Sequence, residues 1–221
     1  MRRVTTIICI LVFGMLWSGP TYSQGIDLPL KYQEMRIPWP QLPSSAFISG
    51  QRGYYLMTGS ISRSDYDDWM KALLTFEWQQ IKDITIILNS PGGSAFDALA
   101  IAELMEEYRA KGYSFEVRGY GFIASSAVLI LVGGNKGRRF LSPIATVYLH
   151  ELQIFKLFET SSTSKQKRES EFLEHMEQNY VQFILNHSGL KHDELRAMMR
   201  QETWLTPTKA IEYGLADQLT R

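Results

Sequence analysis

The chain has 221 residues, of which 45% are hydrophobic, and this is enough to bury one core in a single domain. Its 23 basic and 23 acidic side chains balance, which argues against nucleic acid or anionic lipid as a partner. The single cysteine, Cys9, lies in an N-terminal segment that we expect to be removed, so the mature chain is expected to have neither a disulfide nor a cysteine metal site.

The N-terminal segment has the pattern of a secretory signal peptide. Arg2 and Arg3 precede the apolar run Ile7–Trp17, and Thr21 and Ser23 occupy the small-residue positions of a cleavage site. The run is shorter than the roughly 20 apolar residues that a membrane-spanning helix needs. We therefore expect cleavage after Ser23, which makes residues 1–23 the signal peptide. The mature chain would be exported, to the periplasm or outside the cell, and would keep no membrane anchor.

The remainder is predicted to be a proline-rich extended arm, residues 24–52, followed by one domain, residues 53–221. Strands are predicted within residues 53–61, 83–90 and 113–121 and, as two short strands, within 138–151. Helices are predicted within residues 62–80, 94–112, 125–134, 165–189, 192–201 and 206–219, the last ending in an edge strand. Strands that alternate with helices of crossover length are typical of an α/β protein with a mainly parallel sheet.

The first candidate binding feature is the sequence NSPGG, Asn89–Gly93. A buried strand stops there, two glycines free the backbone, and a helix begins at once, so that successive amide N–H groups can point at one acceptor. The same pattern also fits a tight strand-to-helix turn that binds nothing. A phosphate-binding loop is disfavoured because no Lys-Ser or Lys-Thr pair follows the glycines.

The second feature is the pair Ser125 and Ser126, which opens an apolar segment after the sequence Gly-Tyr-Gly. A hydroxyl there lies against the positive end of the predicted helix, and the next N–H can stabilise a developing oxyanion. Ser125 is therefore a candidate nucleophile. By position alone, either serine could instead be an ordinary N-cap.

The third feature is His150, which ends the apolar strand ATVYLH. Histidine is the side chain best suited to take and return a proton near neutral pH, although a histidine at a strand end is often only a hydrogen-bonded residue. Together with His175, His187 and His192 it shows no metal-ligand spacing, so neither a metal nor an organic cofactor is expected.

The three features in this order resemble the Clp protease proteolytic subunit (ClpP) family, within the wider ClpP/crotonase fold. Asn89–Gly93 resembles that family's oxyanion loop, and Ala124–Ser126 resembles its nucleophile segment, usually Ala-Ser-Met. The stretch ending in His150 resembles the approach to its catalytic histidine, and AIEYGLADQL resembles its C-terminal signature. The resemblance covers roughly Tyr54–Leu219. It implies a mainly parallel sheet with flanking helices, repeated β-β-α units and a protruding helical handle.

The resemblance also implies roles for individual residues. Ser125 would be the nucleophile and His150 its general base, and the backbone N–H groups of Gly93 and Ser126 would form the oxyanion hole. The implied reaction is peptide hydrolysis through an acyl-enzyme.

Two departures from the family pattern concern the same site. Counting back from EYGL, the triad aspartate falls on Met198, whose thioether cannot orient an imidazolium. Glu202 is the first candidate to replace it and Asp193 the second; a Ser/His dyad and a catalytically weak site are the remaining options. Ser126 and Ala127 replace the usual Met and Gly, which should matter little because only a backbone group is needed.

A long helix at residues 165–185 corresponds to the family's handle, which pairs two rings of subunits in relatives. Its apolar positions could serve such pairing or pack on their own subunit. These positions are Phe172, Leu173, Met176, Tyr180, Phe183 and Ile184. The resemblance predicts a homo-oligomer.

The favoured function is an ATP-independent serine endopeptidase of the cell envelope that cleaves peptides or unfolded segments, since no ATP supply exists outside the membrane for an unfoldase partner. A noncatalytic ClpP-like scaffold is the alternative. A crotonase-type acyl-CoA enzyme is disfavoured because export removes its thioester substrate.

A Ser/Lys mechanism through Lys136 is a subsidiary option, because that lysine lies in a basic turn that is typical of solvated loops.

Overall fold

The computed structural model describes residues 41–152 and 163–220. The strands in this part of the chain are β1 (Ala46–Ser49), β2 (Arg52–Thr58), β3 (Asp83–Ser90), β4 (Ser114–Ala124), β5 (Arg139–Leu141), β6 (Thr146–Leu149), β7 (Thr203–Leu205) and β8 (Gln218–Leu219). The helices are α1 (Arg63–Trp78), α2 (Ala95–Ala110), α3 (Ala127–Val132), α4 (Thr163–His187), α5 (His192–Arg200) and α6 (Pro207–Glu212). The signal segment and the arm up to residue 40 lie outside the described residues. Within the described ranges, no helix has both the length and the apolar character needed to cross a bilayer.

One mixed sheet organises the domain, in the order β1-β2-β3-β4-β5-β8. The pairs from β2 to β8 along this path are parallel, and β1 joins β2 antiparallel. On the side away from β3, strand β4 pairs with two strands. Its first half pairs with β5, and its second half pairs in parallel with β6, which in turn pairs antiparallel with β7. The carboxyl ends of β3, β4 and β6 therefore meet at one edge, where ligands of α/β proteins bind.

The hydrophobic core lies on the sheet beneath the helices. Strand β3 is rich in β-branched residues, and its side chains Ile84, Ile86 and Leu88 are fully buried, as its nearly continuous apolar run predicts. All six residues of α3 are fully buried as well. Burial therefore holds α3, and the turn that precedes it, rigidly against the sheet.

The elements predicted from the sequence are largely confirmed. Ser62 and Ser94 are the N-caps of α1 and α2, and β3 has the predicted bounds. Strand β4 continues past Gly121, where the predicted strand ends, to Ala124. The sequence does not predict β1, which lies within residues 24–52, or β7, since strands of three or four residues carry little periodicity of their own.

A buried ion pair ties the last strand to the sheet. The Arg139 guanidinium donates to both carboxylate oxygens of Asp217, at 2.9 and 2.6 Å, and the backbone N–H groups of Gly137 and Arg139 donate to Oδ2 as well. Burial by itself would raise the pKa of Asp217, but the hydrogen bonds and charge of Arg139 outweigh burial and hold that pKa below its usual value.

Candidate active site

Ser125 stands at a sharp turn between β4 and α3. Its φ of +55° is in the left-handed region, which costs a residue other than glycine on the order of 1–2 kcal/mol. Its N–H donates a 2.9 Å hydrogen bond to the Tyr148 carbonyl, and its own carbonyl accepts from Val128 N–H at 3.0 Å and from the Tyr180 hydroxyl at 2.9 Å. Ser125 is half-buried, so its side chain reaches the surface of the edge where the strands end.

The glycine loop after β3 packs directly against this turn. A Cβ at Gly92 would lie 2.6 Å from the Ala124 carbonyl oxygen and 2.7 Å from the Ser125 Cβ, and a Cβ at Gly93 would lie 2.2 Å from the Ile61 carbonyl oxygen. Both glycines also have positive φ, +90° and +147°. Any side chain here would push the loop away from the serine, so glycine is required both for conformation and for close approach.

Two backbone donors remain free where the loop meets the turn. Gly92 N–H donates to the Ser90 hydroxyl and Ser94 N–H to the Ile61 carbonyl, but the N–H groups of Gly93 and Ser126 have no acceptor among the described residues. A Cβ at Gly92 would be 3.0 Å from the Ser126 nitrogen, which shows how closely loop and turn approach. Unpaired backbone donors in a loop and turn that contact each other at a serine are groups that can stabilise an oxyanion.

The Ser126 side chain is fully buried, and its hydroxyl has no hydrogen-bond partner in the described part of the chain. It is the N-cap residue of α3 by position but makes no capping hydrogen bond with its side chain. Only the backbone of Ser126 therefore contributes to the arrangement around Ser125.

His150 lies directly after β6 and is half-buried. Because β4 and β6 are parallel with Ala124 paired to Tyr148, Ser125 and His150 follow the ends of adjacent strands. No hydrogen bond joins the Ser125 hydroxyl to the His150 ring among the residues the structure describes. Catalytic hydrogen bonds are often long or poorly aligned in the absence of substrate. The relevant observation is therefore that the two residues follow the ends of adjacent strands.

The Tyr148 ring packs against one side of the histidine ring, and Trp204 packs against Tyr148. The Tyr148 ring stacks on the His150 ring with centroids 5.3 Å apart, and on the Trp204 ring with centroids 4.1 Å apart. This stack comes from the cross-strand pairing of Tyr148 with Trp204. The sequence gives no separate signal for it, since the pairing depends on the unpredicted strand β7.

Glu202 begins the chain's approach to β7, with φ of +51°. The antiparallel register pairs Leu149 with Thr203, so Glu202 and His150 each lie one residue beyond the last pair of the ladder. Partial burial raises the pKa of the Tyr148 phenol, and the charge and hydrogen bonding of the Glu202 carboxylate raise it further, so this carboxylate lies beside the stack.

The other sequence candidates lie elsewhere. Met198 is 9% exposed and belongs to the hydrophobic core with its neighbours on α5, so the structure does not support taking it as the residue that faces His150. Asp193 is exposed in the first turn of α5, where it contacts His192. Lys136 is exposed in the loop before β5, at the opposite end of the sheet from Ser125.

The apolar positions of α4 divide between two environments. Four of them are buried in the domain itself: Met176, Tyr180, Phe183 and Ile184. Phe172, nearer the start of the helix, is 48% exposed and stacks on Phe96 with centroids 5.3 Å apart. The C-terminal half of the helix therefore packs on its own subunit. The site includes one of its side chains, Tyr180, to which the sequence assigns only a core or pairing role.

Comparisons with known proteins agree with this fold. The model of the family described as Clp protease matches residues 50–221. The chain is 33% identical over 136 residues to the ATP-dependent Clp protease proteolytic subunit of Cuscuta gronovii, covering 62% of this chain and 66% of that one. It is 30% identical over 154 residues to the proteolytic subunit 1 of Bifidobacterium longum, covering 69% and 64%. The matched part thus spans less than two thirds of the length of these curated relatives.

Among solved structures, a ClpP1 mutant from Listeria monocytogenes superposes with a TM-score of 0.67 at 21% identity, covering 76% of this chain and 91% of that one. At this level of identity the superposition establishes the fold: a mixed α/β sheet with flanking helices, as the resemblance implies.

Proposed function

Because the chain belongs to the Clp protease family, we propose that it is a serine endopeptidase with Ser125 as nucleophile and His150 as general base. The observation that supports this most strongly is the contact of the glycine loop with the serine turn, where the N–H groups of Gly93 and Ser126 have no acceptor among the described residues. Ser126 is fully buried, and a turn of purely structural importance would gain from pairing its N–H, since unpaired backbone groups are costly when buried.

In the proposed reaction, the Ser125 oxygen attacks the carbonyl carbon of a peptide bond while His150 takes the hydroxyl proton. The negative charge that develops on the carbonyl oxygen is stabilised by the N–H groups of Gly93 and Ser126. The protonated imidazole then gives its proton to the leaving amine as the C–N bond breaks. Water, deprotonated by His150, attacks the acyl-enzyme, and the proton returns to Ser125 as the acid is released.

We propose Glu202 as the third member of the site. Glu202 and His150 both lie one residue beyond the β6–β7 ladder, and a carboxylate that faces an imidazole favours the protonated form and fixes the ring orientation. Met198 is a core residue, so its thioether is no sign that catalysis has been lost. Glu202 is exposed, so its effect on His150 is expected to be weaker than that of a buried carboxylate.

The setting of the enzyme is also a proposal. The segment at residues 1–23 supports export to the cell envelope, where ATP is absent, so the substrates would be peptides or already unfolded protein segments cleaved without an ATPase. The relatives are named as subunits of an ATP-dependent protease, and this name supports a homo-oligomer for the present chain. It also makes ATP independence a point on which this chain would differ from them.

A noncatalytic scaffold is the second candidate. The observation that favours it is the absence, in the described residues, of a hydrogen bond between the Ser125 hydroxyl and the His150 ring. Labelling with a fluorophosphonate probe separates the two functions, because the probe reacts only with an activated serine.

The test uses the mature protein with four matched chains. Wild type should be labelled, Ser125→Ala should not be labelled, and His150→Ala should be labelled far more slowly. Ser126→Ala is the matched control, since it removes the neighbouring hydroxyl and keeps the backbone N–H, and it should be labelled like wild type. Absence of labelling in wild type over a wide pH range would favour the scaffold.

A further inference from the structure

A fully buried tyrosine on the long helix contacts the backbone of the proposed nucleophile. The Tyr180 hydroxyl donates a 2.9 Å hydrogen bond to the Ser125 carbonyl oxygen, from a position between Met176 and Ile184 in the buried half of α4. An apolar side chain would fill the same core position without bringing a hydroxyl that needs a partner. Packing alone therefore does not explain why a hydroxyl stands at this position and donates to this carbonyl.

The Ser125 carbonyl and the Ser126 N–H are the two ends of a single peptide unit. A trans peptide is planar, so its C=O and N–H point in opposite directions, and fixing the oxygen also fixes the direction of the N–H. The Ser126 N–H is one of the two donors without an acceptor among the described residues of the loop and the turn. By donating to the carbonyl oxygen, Tyr180 therefore acts on the N–H at the opposite edge of the same peptide unit.

The backbone at this position needs such support. Ser125 has a left-handed φ of +55°, and its turn is held by the bond from its N–H to Tyr148 and by the bond from Val128 N–H to its carbonyl. A carbonyl oxygen has two lone pairs, so the Tyr180 hydroxyl adds a second bond and does not displace the first. A hydrogen bond to a C=O also polarises the peptide and strengthens its N–H as a donor.

We infer that Tyr180 is a positioning residue of the oxyanion hole, which orients and polarises the Ser125–Ser126 peptide so that its N–H meets the charge formed during acylation. This inference rests on the proposed function of Ser125. It assigns the buried half of α4 a part in the chemistry, in addition to its packing.

Burial keeps the phenol in the form that this role requires. Desolvation raises the pKa of Tyr180 above its usual value, so the hydroxyl stays protonated and donates at neutral pH. The Tyr180 hydroxyl is therefore expected to donate its hydrogen bond without adding a pH dependence to the reaction near neutral pH.

The test removes the hydroxyl and keeps the ring, with Tyr180→Phe. Its matched control is Tyr55→Phe, because Tyr55 is 1% exposed and its hydroxyl also donates to a backbone carbonyl, that of Asp65 in α1 at 3.2 Å. Removing a direct oxyanion donor costs about 10²–10³-fold in rate, so losing a group that acts through that donor should cost about 5–30-fold.

Two measurements are made on each variant. The first is the fluorophosphonate labelling rate together with kcat and KM for a peptide substrate. Tyr180→Phe should lose labelling rate and kcat by this factor with KM within about twofold, because the oxyanion forms only in the transition state, and Tyr55→Phe should match wild type. A labelling rate for Tyr180→Phe within about twofold of wild type, or an equal loss in Tyr55→Phe, would overturn the inference.

The second measurement does not depend on activity. Protein labelled with carbonyl-¹³C serine and ¹⁵N serine gives correlations only from Ser–Ser peptides, which include Ser125–Ser126. Both the Ser125 carbonyl shift and the Ser126 amide shift should move in Tyr180→Phe and stay fixed in Tyr55→Phe. Unmoved shifts in Tyr180→Phe would overturn the inference even if wild type is never labelled, whereas failed wild-type labelling alone counts against the proposed function.

If Tyr180→Phe does not fold, 3-fluorotyrosine at position 180 keeps both the ring and the hydroxyl. Its more acidic phenol is a stronger donor, so the Ser126 amide shift should move and labelling should become faster. An unchanged shift and rate would overturn the inference.

Discussion

His150 and Glu202 each lie one residue beyond the last pair of the β6–β7 ladder, Leu149 and Thr203. The same ladder stacks Tyr148 on the histidine ring and brings Glu202 beside that tyrosine. The short strand β7 therefore sets the electrostatic surroundings of the histidine.

Glu202→Gln should reduce kcat/KM by roughly 10²-fold, less than the order of 10⁴ seen when a buried triad aspartate is lost, because Glu202 is exposed. The amide keeps the size of the side chain and removes the charge that favours the imidazolium. The measurement is peptide hydrolysis, with Asp193→Asn as the control that should match wild type. If Asp193→Asn lost activity and Glu202→Gln did not, the second candidate from the sequence would take its place.

Gly92→Ala should abolish or strongly slow fluorophosphonate labelling, because the new Cβ would meet the Ala124 oxygen and the Ser125 Cβ at 2.6 and 2.7 Å. Gly112→Ala is the matched control: its φ of +86° is close to the +90° of Gly92, but nothing lies within 4 Å of its Cβ position. Both variants should lose about 1–2 kcal/mol of unfolding free energy from the left-handed backbone, and Gly92→Ala should lose more. Equal labelling of the two variants would contradict the close packing of loop and turn.

Ser126→Ala should leave labelling unchanged and leave the free energy of unfolding unchanged or higher by up to about 1 kcal/mol. The Ser126 hydroxyl is buried without a partner in the described structure, so its removal relieves a desolvation penalty. Urea unfolding monitored by tryptophan fluorescence measures the effect. A loss of more than about 1 kcal/mol would show that the hydroxyl has a partner, such as a bound water.

Asp217→Asn should lower the free energy of unfolding at neutral pH by about 3–5 kcal/mol, because the buried Arg139 guanidinium keeps its charge and loses its partner. The pKa of Asp217 is depressed in the folded state, so its contribution is complete above the unfolded-state pKa of about 3.9 and is lost as the pH falls through the lower folded value. The difference between wild type and variant should therefore shrink in acid. Urea unfolding over a pH series checks this, and a difference independent of pH would contradict the ion pair.

The mature protein should assemble into a homo-oligomer in solution. Phe172 and Phe96 form an exposed stacked pair near the start of α4, although Met176, Tyr180, Phe183 and Ile184 are buried in their own subunit. Native mass spectrometry or light scattering at micromolar concentration checks the assembly. A monomer under these conditions would contradict the proposed homo-oligomer.

The mature protein should also hydrolyse peptides without an ATPase. Wild type that hydrolysed peptides only after addition of an ATPase would contradict ATP independence.

The sequence by itself determined the features that depend on neighbours along the chain. The β-branched run of β3 and the glycine loop are local patterns, and each produces the same structure in many contexts. These patterns were enough to indicate the α/β class, the parallel sheet, the order of elements and the candidates Ser125 and His150.

The tertiary structure alone decided which residues surround those candidates. Strand β7 has too few residues to carry a periodic signal, so the position opposite His150 could not be obtained by counting from EYGL, which led to Met198 in the core. Tyr180 belongs to an apolar helical stripe, and only the packing of α4 on the sheet reveals that its hydroxyl reaches Ser125. Pairing register and helix packing join residues that are far apart in sequence, and no local pattern contains that information.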